Sequence, residues 1–320
     1  MDRRLPTHGL VLALLGLGLL APHSTPGTMP VATAGFVAAY PGVAAAMRAA
    51  GQPYAGWVDQ GRSFLAFDPR GNGTAVEVLG DLATADRMVV LVPGVATTLA
   101  DFDRGLGGVA HRAPAVQARA LYDQIRAEDP RARVAVLAWL GYDPPDGLGW
   151  AAVRDSSART GARSLVELVR TLAAHRPTAT MTLIGHSYGA LVVGLAAPYL
   201  PAQVSDLVTL GGVGMGVDRV AELRTGATVW AAQAADDWIR RIPQVRVLGV
   251  GHGIRPAEPS FGARPLPVDG VVGHDGYLVR GTGTLQAVAR VVLGPGRTAA
   301  PTVPATHVEK IQATSPYPRA

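Results

Sequence analysis

The stretch that decides the fold is TLIGHSYGAL, residues 182–191. Its centre, Gly185-His186-Ser187-Tyr188-Gly189, has the spacing G-x-S-x-G. A shuffled chain with the same 39 glycines would contain roughly 0.1 copies of this pentapeptide, so the motif needs a structural context. An apolar run precedes it and a helix-like run follows, which predicts a strand, a sharp turn and a helix. Such a turn would hold the hydroxyl of Ser187 above a sheet, with glycines on both sides to prevent collisions.

On both sides of this stretch, apolar runs alternate with helical patterns. The runs are continuous and rich in β-branched residues, which indicates strands buried on both faces and paired in parallel. Residues 68–73, DPRGNG, are turn-forming and join the first two strands as a hairpin. The predicted strands are 63–67, 75–79, 88–92, 134–139, 180–184, 204–210, 227–232 and 264–268, and the predicted helices are 115–128, 151–174, 187–200 and 284–293. We therefore predict an α/β fold with a mostly parallel central sheet and helices on both faces.

The first 34 residues have the pattern of an export signal. The run Gly9–Ala21 holds 13 residues without a charge, too short for an ordinary membrane span and typical of a signal peptide. Cleavage would follow Ala32-Thr33-Ala34 or occur near Ala21; an uncleaved anchor and a buried helix are the alternatives. We expect an exported protein, secreted or associated with the cell envelope. The predicted organisation is 1–34 signal peptide or N-terminal anchor, 35–59 helical segment, 60–294 α/β domain and 295–320 Pro/Ala/Thr-rich flexible tail.

The composition excludes several classes of function. The chain has no cysteine, which excludes disulfides, thiolate catalysis and cysteine-ligated metals. Its net charge is +5, but no basic run with interleaved aromatic residues indicates a nucleic-acid groove. No dinucleotide-binding loop, Walker A sequence or H-E-x-x-H motif occurs, and the histidines are dispersed. We therefore expect no cofactor, no metal and no nucleic-acid partner.

A serine nucleophile needs a base, and the base needs a carboxylate that orients it. Both should follow Ser187 in the chain and lie at the carboxyl ends of strands. His274 precedes the last predicted helix and is the favoured base over His252, while His186 is expected to be a packing residue. The favoured acid, Asp237, follows the strand at 227–232, and its neighbour Asp236 is the alternative.

Two further features are expected around this group. An oxyanion hole needs two N–H donors aimed at the position where negative charge develops. The backbone N–H of Tyr188, directly after the nucleophile, is one candidate; that of Val95, in the loop after the third strand, is the other. Trp139 and Tyr142 end the neighbouring strand, and we expect them to line the substrate pocket.

Four segments together resemble the α/β-hydrolase superfamily: PGV at 93–95, GHSYGA at 185–190, ADDWI at 235–239 and GHDGY at 273–277. Within it, the hairpin FDPRGNG and the segment WLGYD resemble a bacterial, largely actinobacterial, group named as a domain of unknown function (DUF1023-like). The resemblance covers residues 60–294. It implies Ser187 as nucleophile, Asp237 as acid and His274 as base, although related sequences have proline where this chain has Trp238. It implies the chemistry and no natural substrate.

These inferences predict an exported serine hydrolase. We expect it to cleave a small-molecule or lipid-like carboxylic ester through a Ser-His-Asp triad and an acyl-enzyme intermediate. A peptidase or amidase with the same triad is an alternative, as is a hydrolase-fold binding protein of the cell envelope with little turnover. The N-terminal segment could bring the protein into transient contact with a membrane or the cell envelope.

Overall fold

The structure is a computed structural model that describes residues 36–147, 150–242, 244 and 251–294. The predicted signal segment at 1–34 and the predicted tail at 295–320 lie outside the described residues. No helix in the described ranges is both long enough and apolar enough to span a bilayer.

The described residues form an eight-stranded sheet with the strand order β1-β2-β4-β3-β5-β6-β7-β8. The strands are β1 (Ser63–Asp68), β2 (Thr74–Gly80), β3 (Arg87–Val92), β4 (Val134–Leu140), β5 (Thr180–His186), β6 (Val204–Leu210), β7 (Thr228–Ala232) and β8 (Arg264–Pro265). β2 pairs antiparallel with β1 and with β4, and all other pairs are parallel. The prediction of a mostly parallel α/β sheet is confirmed.

The central strand β3 shows why the apolar runs are continuous. Successive side chains of a strand point to opposite faces of the sheet. Met88, Val90 and Val92 enter the core on one face, whereas Val89 and Leu91 enter the core on the other. All five are fully buried. Both faces must therefore be covered by helices, which is the arrangement that the parallel pairing requires.

Seven α-helices among the described residues cover the two faces. They are α1 (Phe36–Ala49), α2 (Tyr54–Asp59), α3 (Pro114–Glu128), α4 (Trp150–Val153), α5 (Ser156–His175), α6 (Gly189–Ala196) and α7 (Gly283–Leu293). The helices α5 and α6 pack together on one face, and α3 packs against α7 on the other. The helix α1 packs against β1 and continues through Pro41.

The long helix predicted at 151–174 is interrupted between α4 and α5. The hydroxyl of Tyr188 lies at this interruption, where it donates to the carbonyl of Arg154 at 2.9 Å and accepts from the N–H of Ala158 at 3.3 Å. Two backbone groups at the break are thus satisfied by a side chain from the turn after β5. These two hydrogen bonds connect the break between α4 and α5 to Tyr188, the residue that follows Ser187.

Two other predicted elements are shorter in the structure. The strand predicted at 264–268 is reduced to Arg264–Pro265. Pro265 and Pro267 have no N–H to donate to a strand ladder, which explains the early end. The helix predicted at 187–200 begins at Gly189 and ends at Ala196, after which a 3-10 turn contains Pro198.

Candidate active site

Ser187 lies on a strained turn between β5 and α6. Its φ angle is 54°, in the left-handed region that non-glycine residues rarely adopt. A Cβ at Gly185 would lie 2.5 Å from the carbonyl oxygen of Gly189, and one at Gly189 would lie 2.3 Å from that of Val92. Only glycine fits at both flanking positions. The sharp turn predicted from G-x-S-x-G is therefore present, and it is held by close backbone packing.

Asp237 and His274 lie in direct contact, although 37 residues separate them in the chain. Asp237 follows β7, and its Oδ1 lies 2.8 Å from Nδ1 of His274. Both side chains are buried, with exposed fractions of 0% and 6%. The N–H of Ile239 donates to the same carboxylate oxygen at 2.9 Å. A buried acid is thus placed where it orients the imidazole.

The adjacent carboxylate has a different contact. Asp236 is exposed, and its Oδ2 accepts a hydrogen bond from the backbone N–H of Gly273 at 2.9 Å. It therefore holds the loop that leads into His274, whereas Asp237 contacts the ring itself. The two candidates that the sequence left open occupy distinct positions in the structure.

Two opposing effects act on the ionisation of Asp237. Burial disfavours the charged form and acts to raise the pKa. Hydrogen bonds from His274, Tyr277 and Ile239 favour the charged form and outweigh burial, so the pKa of Asp237 lies below its usual value. The carboxylate is therefore ionised at neutral pH and can stabilise an imidazolium.

Ser187 and His274 line the same cavity, which has a volume of about 250 Å³. The Nε2 atom of His274 is buried and has no hydrogen-bond partner among the described residues. The other lining residues are Pro93, Gly94, Val95, Ala96, Thr97, Leu106, Arg112, Gln117, Gly147, His186, Trp238 and Asp275. One nitrogen of the imidazole is thus held by Asp237, and the other is free to exchange a proton with a group in this cavity.

The candidate oxyanion donors lie on two sides of the serine. Val95 lines the cavity, and Tyr188 follows Ser187 at the amino end of α6. Neither backbone N–H donates to another described residue, whereas the N–H of Ala96 is engaged by the carbonyl of Pro145 at 2.7 Å. Gly94 permits the close approach of this loop, because a Cβ there would lie 2.8 Å from the Cβ of Ser187.

Trp139 and Tyr142 lie in the core and not along this cavity, which corrects the expectation that they line it. Each is 2% exposed, and their rings stack with centroids 5.7 Å apart. The hydroxyl of Tyr142 donates to the carbonyl of Pro93 at 2.8 Å. These aromatic residues therefore pack behind the loop that contains Val95 and support it. The aromatic character of the two residues in the sequence did not distinguish this role from lining the pocket.

The two other histidines considered from the sequence have different partners. His252 has its Nε2 2.6 Å from the carbonyl oxygen of Ala152 and packs its ring edge to face with Tyr188. His186 lines the cavity and has its Nε2 2.9 Å from the carbonyl oxygen of His274. Burial, followed by the nearby His274 ring, lowers the pKa of His186 to about 4. A neutral His186 can then donate to that carbonyl and hold the loop in place.

Three side chains at this edge could offer metal ligands: His186, His274 and Asp275 bring one ligand atom each within 4.8 Å of one another. Two of the three side chains are already engaged by charged partners. Nδ1 of His274 is engaged by Asp237, and Asp275 lies 2.8 Å from the guanidinium of Arg112. That fixed positive charge opposes the binding of a cation.

Sequence reasoning missed two aromatic residues at this group. The hydroxyl of Tyr277 donates to Oδ2 of Asp237 at 2.5 Å, and the ring of Trp238 packs 4.5 Å from that of His274 between centroids. Trp238 directly follows Asp237 within ADDWI, and Tyr277 lies three residues after His274 within GHDGY. The proximity of an aromatic residue in the chain was the available signal, but it does not indicate which way the side chain points.

Solved structures with a similar arrangement of elements share little sequence with this chain. An a/b serine hydrolase without lid from Xanthomonas campestris is 15% identical, covering 73% of this chain and 97% of its own, with a TM-score of 0.40. A carboxylesterase from Mesorhizobium loti is 16% identical, covering 69% and 95%, with a TM-score of 0.40. A dienelactone hydrolase from Anabaena variabilis is 15% identical, covering 72% and 94%, with a TM-score of 0.42.

Relatives by sequence come from mycobacteria. An uncharacterized protein of Mycobacterium tuberculosis is 29% identical over 263 residues, which cover 72% of this chain and 39% of that protein. Another from the same species is 34% identical over 189 residues, covering 58% of this chain and 69% of that protein. The chain thus spans well under half the length of the first relative.

Residues 68–247, more than half of the chain, match the family described as alpha/beta hydrolase. The chain belongs to the alpha/beta hydrolase family.

Proposed function

We propose that this hydrolase cleaves carboxylic esters with Ser187 as nucleophile, His274 as general base and Asp237 as the orienting acid. One observation carries the proposal. The imidazole of His274 is held by Asp237 at Nδ1, and its unpartnered Nε2 shares a cavity with the strained Ser187. A buried acid, a base with one free nitrogen and a serine on a strained turn are the parts that acyl transfer needs.

In the acylation step, Oγ of Ser187 attacks the carbonyl carbon of the ester while Nε2 of His274 takes the hydroxyl proton. The carbonyl oxygen becomes an oxyanion, and the backbone N–H groups of Val95 and Tyr188 are the proposed donors to it. The tetrahedral intermediate then expels the alcohol, which receives the proton from His274. The serine is left as an ester of the substrate acid.

Deacylation repeats these events with water as the nucleophile. His274 removes a proton from water, which attacks the acyl carbon, and the carboxylic acid leaves as Ser187 regains its proton from the imidazolium. Throughout, the charge on Asp237 stabilises the imidazolium and the hydrogen bond at Nδ1 keeps Nε2 available. We propose esters as substrates over amides, because an alcohol is a better leaving group and the superfamily resemblance favours esters.

The experiment that tests this proposal combines covalent labelling with ester hydrolysis. A fluorophosphonate probe should label the wild-type protein, and p-nitrophenyl esters of graded chain length should be hydrolysed. Ser187→Ala should abolish both signals. Ser205→Ala is the matched control, because that serine is exposed on β6, where its hydroxyl donates to Asp206 at 2.8 Å. Its labelling should equal that of the wild type.

Two outcomes would reject the ester hydrolase. The first is a folded wild-type protein that the probe does not label, which would favour the cell-envelope binding protein. The second is labelling that persists in Ser187→Ala. Hydrolysis of p-nitroanilides at rates similar to those of the matched esters would instead support the peptidase or amidase.

We also propose that the protein is exported and belongs to the DUF1023-like group of the superfamily. Export is supported by the uncharged run Gly9–Ala21, and the finer family membership by the ordered segments between residues 60 and 294. Amino-terminal sequencing of protein recovered from the culture medium tests export. A protein that retains Met1 and stays in the cytosol would contradict it.

A further inference from the structure

One hydrogen bond at this site has no part in the proposed acyl transfer. A serine–histidine–acid mechanism uses one carboxylate oxygen of Asp237, and Oδ1 already receives both the imidazole and the N–H of Ile239. Oδ2 is equally enclosed, because the side chain of Asp237 is fully buried. A buried carboxylate oxygen without a donor is unfavourable, so a residue must satisfy it.

Tyr277 supplies that donor. It lies in the 3-10 turn Gly276–Leu278, three residues after His274, and it is 1% exposed. Its hydroxyl lies 2.5 Å from Oδ2 of Asp237 and accepts a hydrogen bond from the N–H of Ala234 at 3.0 Å. Because the N–H of Ala234 occupies one lone pair of the hydroxyl oxygen, the hydroxyl proton is directed to the carboxylate.

The charge state of Tyr277 is consistent with a permanent donor. Burial, and then the hydrogen bond to Asp237, raise the pKa of Tyr277 well above its usual value. The hydroxyl therefore stays protonated across the pH range in which a hydrolase works. A short bond to an ionised acceptor is also among the stronger hydrogen bonds in proteins.

The backbone closes the remaining side of this group. Gly211 has a φ angle of 55° and follows β6. A Cβ at this position would lie 2.7 Å from Oδ2 of Asp237 and 3.0 Å from both Nδ1 of His274 and Cε2 of Tyr277. The three side chains are thus packed against main chain, which leaves the carboxylate little freedom to rotate.

We propose that Tyr277 is a positioning residue that fixes the carboxylate plane of Asp237 and thereby the orientation of the His274 imidazole. This inference rests on the proposed function. With Oδ2 held by Tyr277 and Oδ1 held by Ile239, rotation of the carboxylate would break two hydrogen bonds at once. The hydroxyl also draws electron density from the carboxylate, which moderates its basicity towards the imidazole.

Tyr277→Phe removes the hydroxyl and keeps the buried ring, so the variant should fold. We expect kcat for the best p-nitrophenyl ester to fall about 10-fold, with KM changed less than about 2-fold, because the loss concerns the transition state. The acid limb of kcat/KM should move to higher pH. Without the Tyr277 donor the carboxylate of Asp237 accepts a stronger hydrogen bond from the imidazole and favours its charged form, so the unprotonated base is lost at a higher pH as the solution is acidified.

A matched control is Tyr122→Phe. Tyr122 is half-buried on α3 beside Gly80, near the start of β4 and thus at the opposite edge of the sheet. Its hydroxyl makes no hydrogen bond among the described residues, so kcat and the pH profile should not change. Fluorophosphonate titration of active sites and thermal melting would show that both variants contain the same fraction of folded protein.

Proton NMR tests the inference without a substrate. The Nδ1 proton of His274 should give a low-field resonance, identified by its loss in His274→Gln. In Tyr277→Phe this resonance should move further downfield, because a more basic carboxylate accepts a stronger hydrogen bond. A wild-type spectrum without the resonance, or one that Tyr277→Phe leaves unchanged, would overturn the proposal. So would kcat and an acid limb equal to those of the wild type. If the wild type hydrolyses no ester, the proposed function fails, and the NMR result alone decides the role of Tyr277.

Discussion

The adjacent carboxylates Asp236 and Asp237 offer a sharp test of the site, because they differ by one position and have different contacts. Asp237→Asn removes the negative charge beside the imidazole and keeps the shape of the side chain. Asp236→Asn makes the same chemical change one residue earlier, where the carboxylate is exposed and accepts from the N–H of Gly273. An amide oxygen can still accept that hydrogen bond.

The size of the expected difference follows from the geometry. Oδ1 of Asp237 lies 2.8 Å from Nδ1 of His274 in a buried setting. A unit charge at that distance stabilises an imidazolium by about 6 kcal/mol at an effective dielectric constant of about 20. Since the imidazolium forms in the transition state, kcat of Asp237→Asn should fall by about 10⁴-fold. Asp236→Asn should lose less than about 10-fold, because only a hydrogen bond to an exposed group is weakened.

The assay is steady-state hydrolysis of the best p-nitrophenyl ester at several pH values, normalised to the concentration of folded protein. Both variants should melt as cooperatively as the wild type, which separates loss of chemistry from loss of structure. The reasoning is wrong if Asp237→Asn stays within 10-fold of the wild type. A large loss in Asp236→Asn together with a small one in Asp237→Asn would assign the orienting role to the other acid.

Two further predictions concern the loop beside the serine and the stability of the fold. Gly94→Ala places a methyl group 2.8 Å from the Cβ of Ser187. If the serine is displaced by nearly 1 Å, kcat should fall about 100-fold, while the near-ultraviolet circular dichroism spectrum stays native. Full activity would show that the loop can move away. Glu77→Ala removes the carboxylate that binds the guanidinium of Arg62 at 2.7 and 2.8 Å, where the two side chains are 2% and 8% exposed. The guanidinium keeps its contact with Asp103 at 3.0 Å, so the free energy of unfolding in urea should fall by about 1.5–3 kcal/mol, the size expected for lost hydrogen bonds to a charged group. A loss below about 1 kcal/mol would contradict this account.

Much of the fold could be predicted because its main signals are local. The continuous apolar run at 88–92 needs burial on both faces, and the structure divides its side chains between two cores. The split of the helix predicted at 151–174 was not predictable in this way. It depends on the hydroxyl of Tyr188, which reaches Arg154 and Ala158 from a distant turn. Periodicity reports the face of a helix and carries no information about such a contact.

The same distinction between local and long-range contacts applies to the candidate site. The turn at Ser187 was predictable because the glycines beside it are required by main-chain contacts, Gly185 within the turn itself and Gly189 against Val92 at the end of β3. A histidine and a carboxylate after the ends of strands could be predicted from the residue types. Which of Asp236 and Asp237 contacts His274 depends on how the backbone turns after β7, and the sequence does not indicate that turn. The aromatic residues Trp139 and Tyr142 could not be placed, because a buried ring and a pocket wall have the same composition.

The contact between Tyr277 and Asp237 shows why such a support escapes sequence reasoning and why it matters for the chemistry. The sequence does not indicate that a tyrosine three residues after a histidine contacts a carboxylate. The 3-10 turn at Gly276–Leu278 is what brings the Tyr277 hydroxyl to Asp237. A fully buried acid has to be ionised to stabilise an imidazolium, yet burial opposes its ionisation. Hydrogen-bond donors to both carboxylate oxygens of Asp237 favour the ionised form and so offset the effect of burial. Because the hydroxyl of Tyr277 belongs to the same loop as His274, the segment that carries the proposed base also carries a donor that favours the charged form of Asp237.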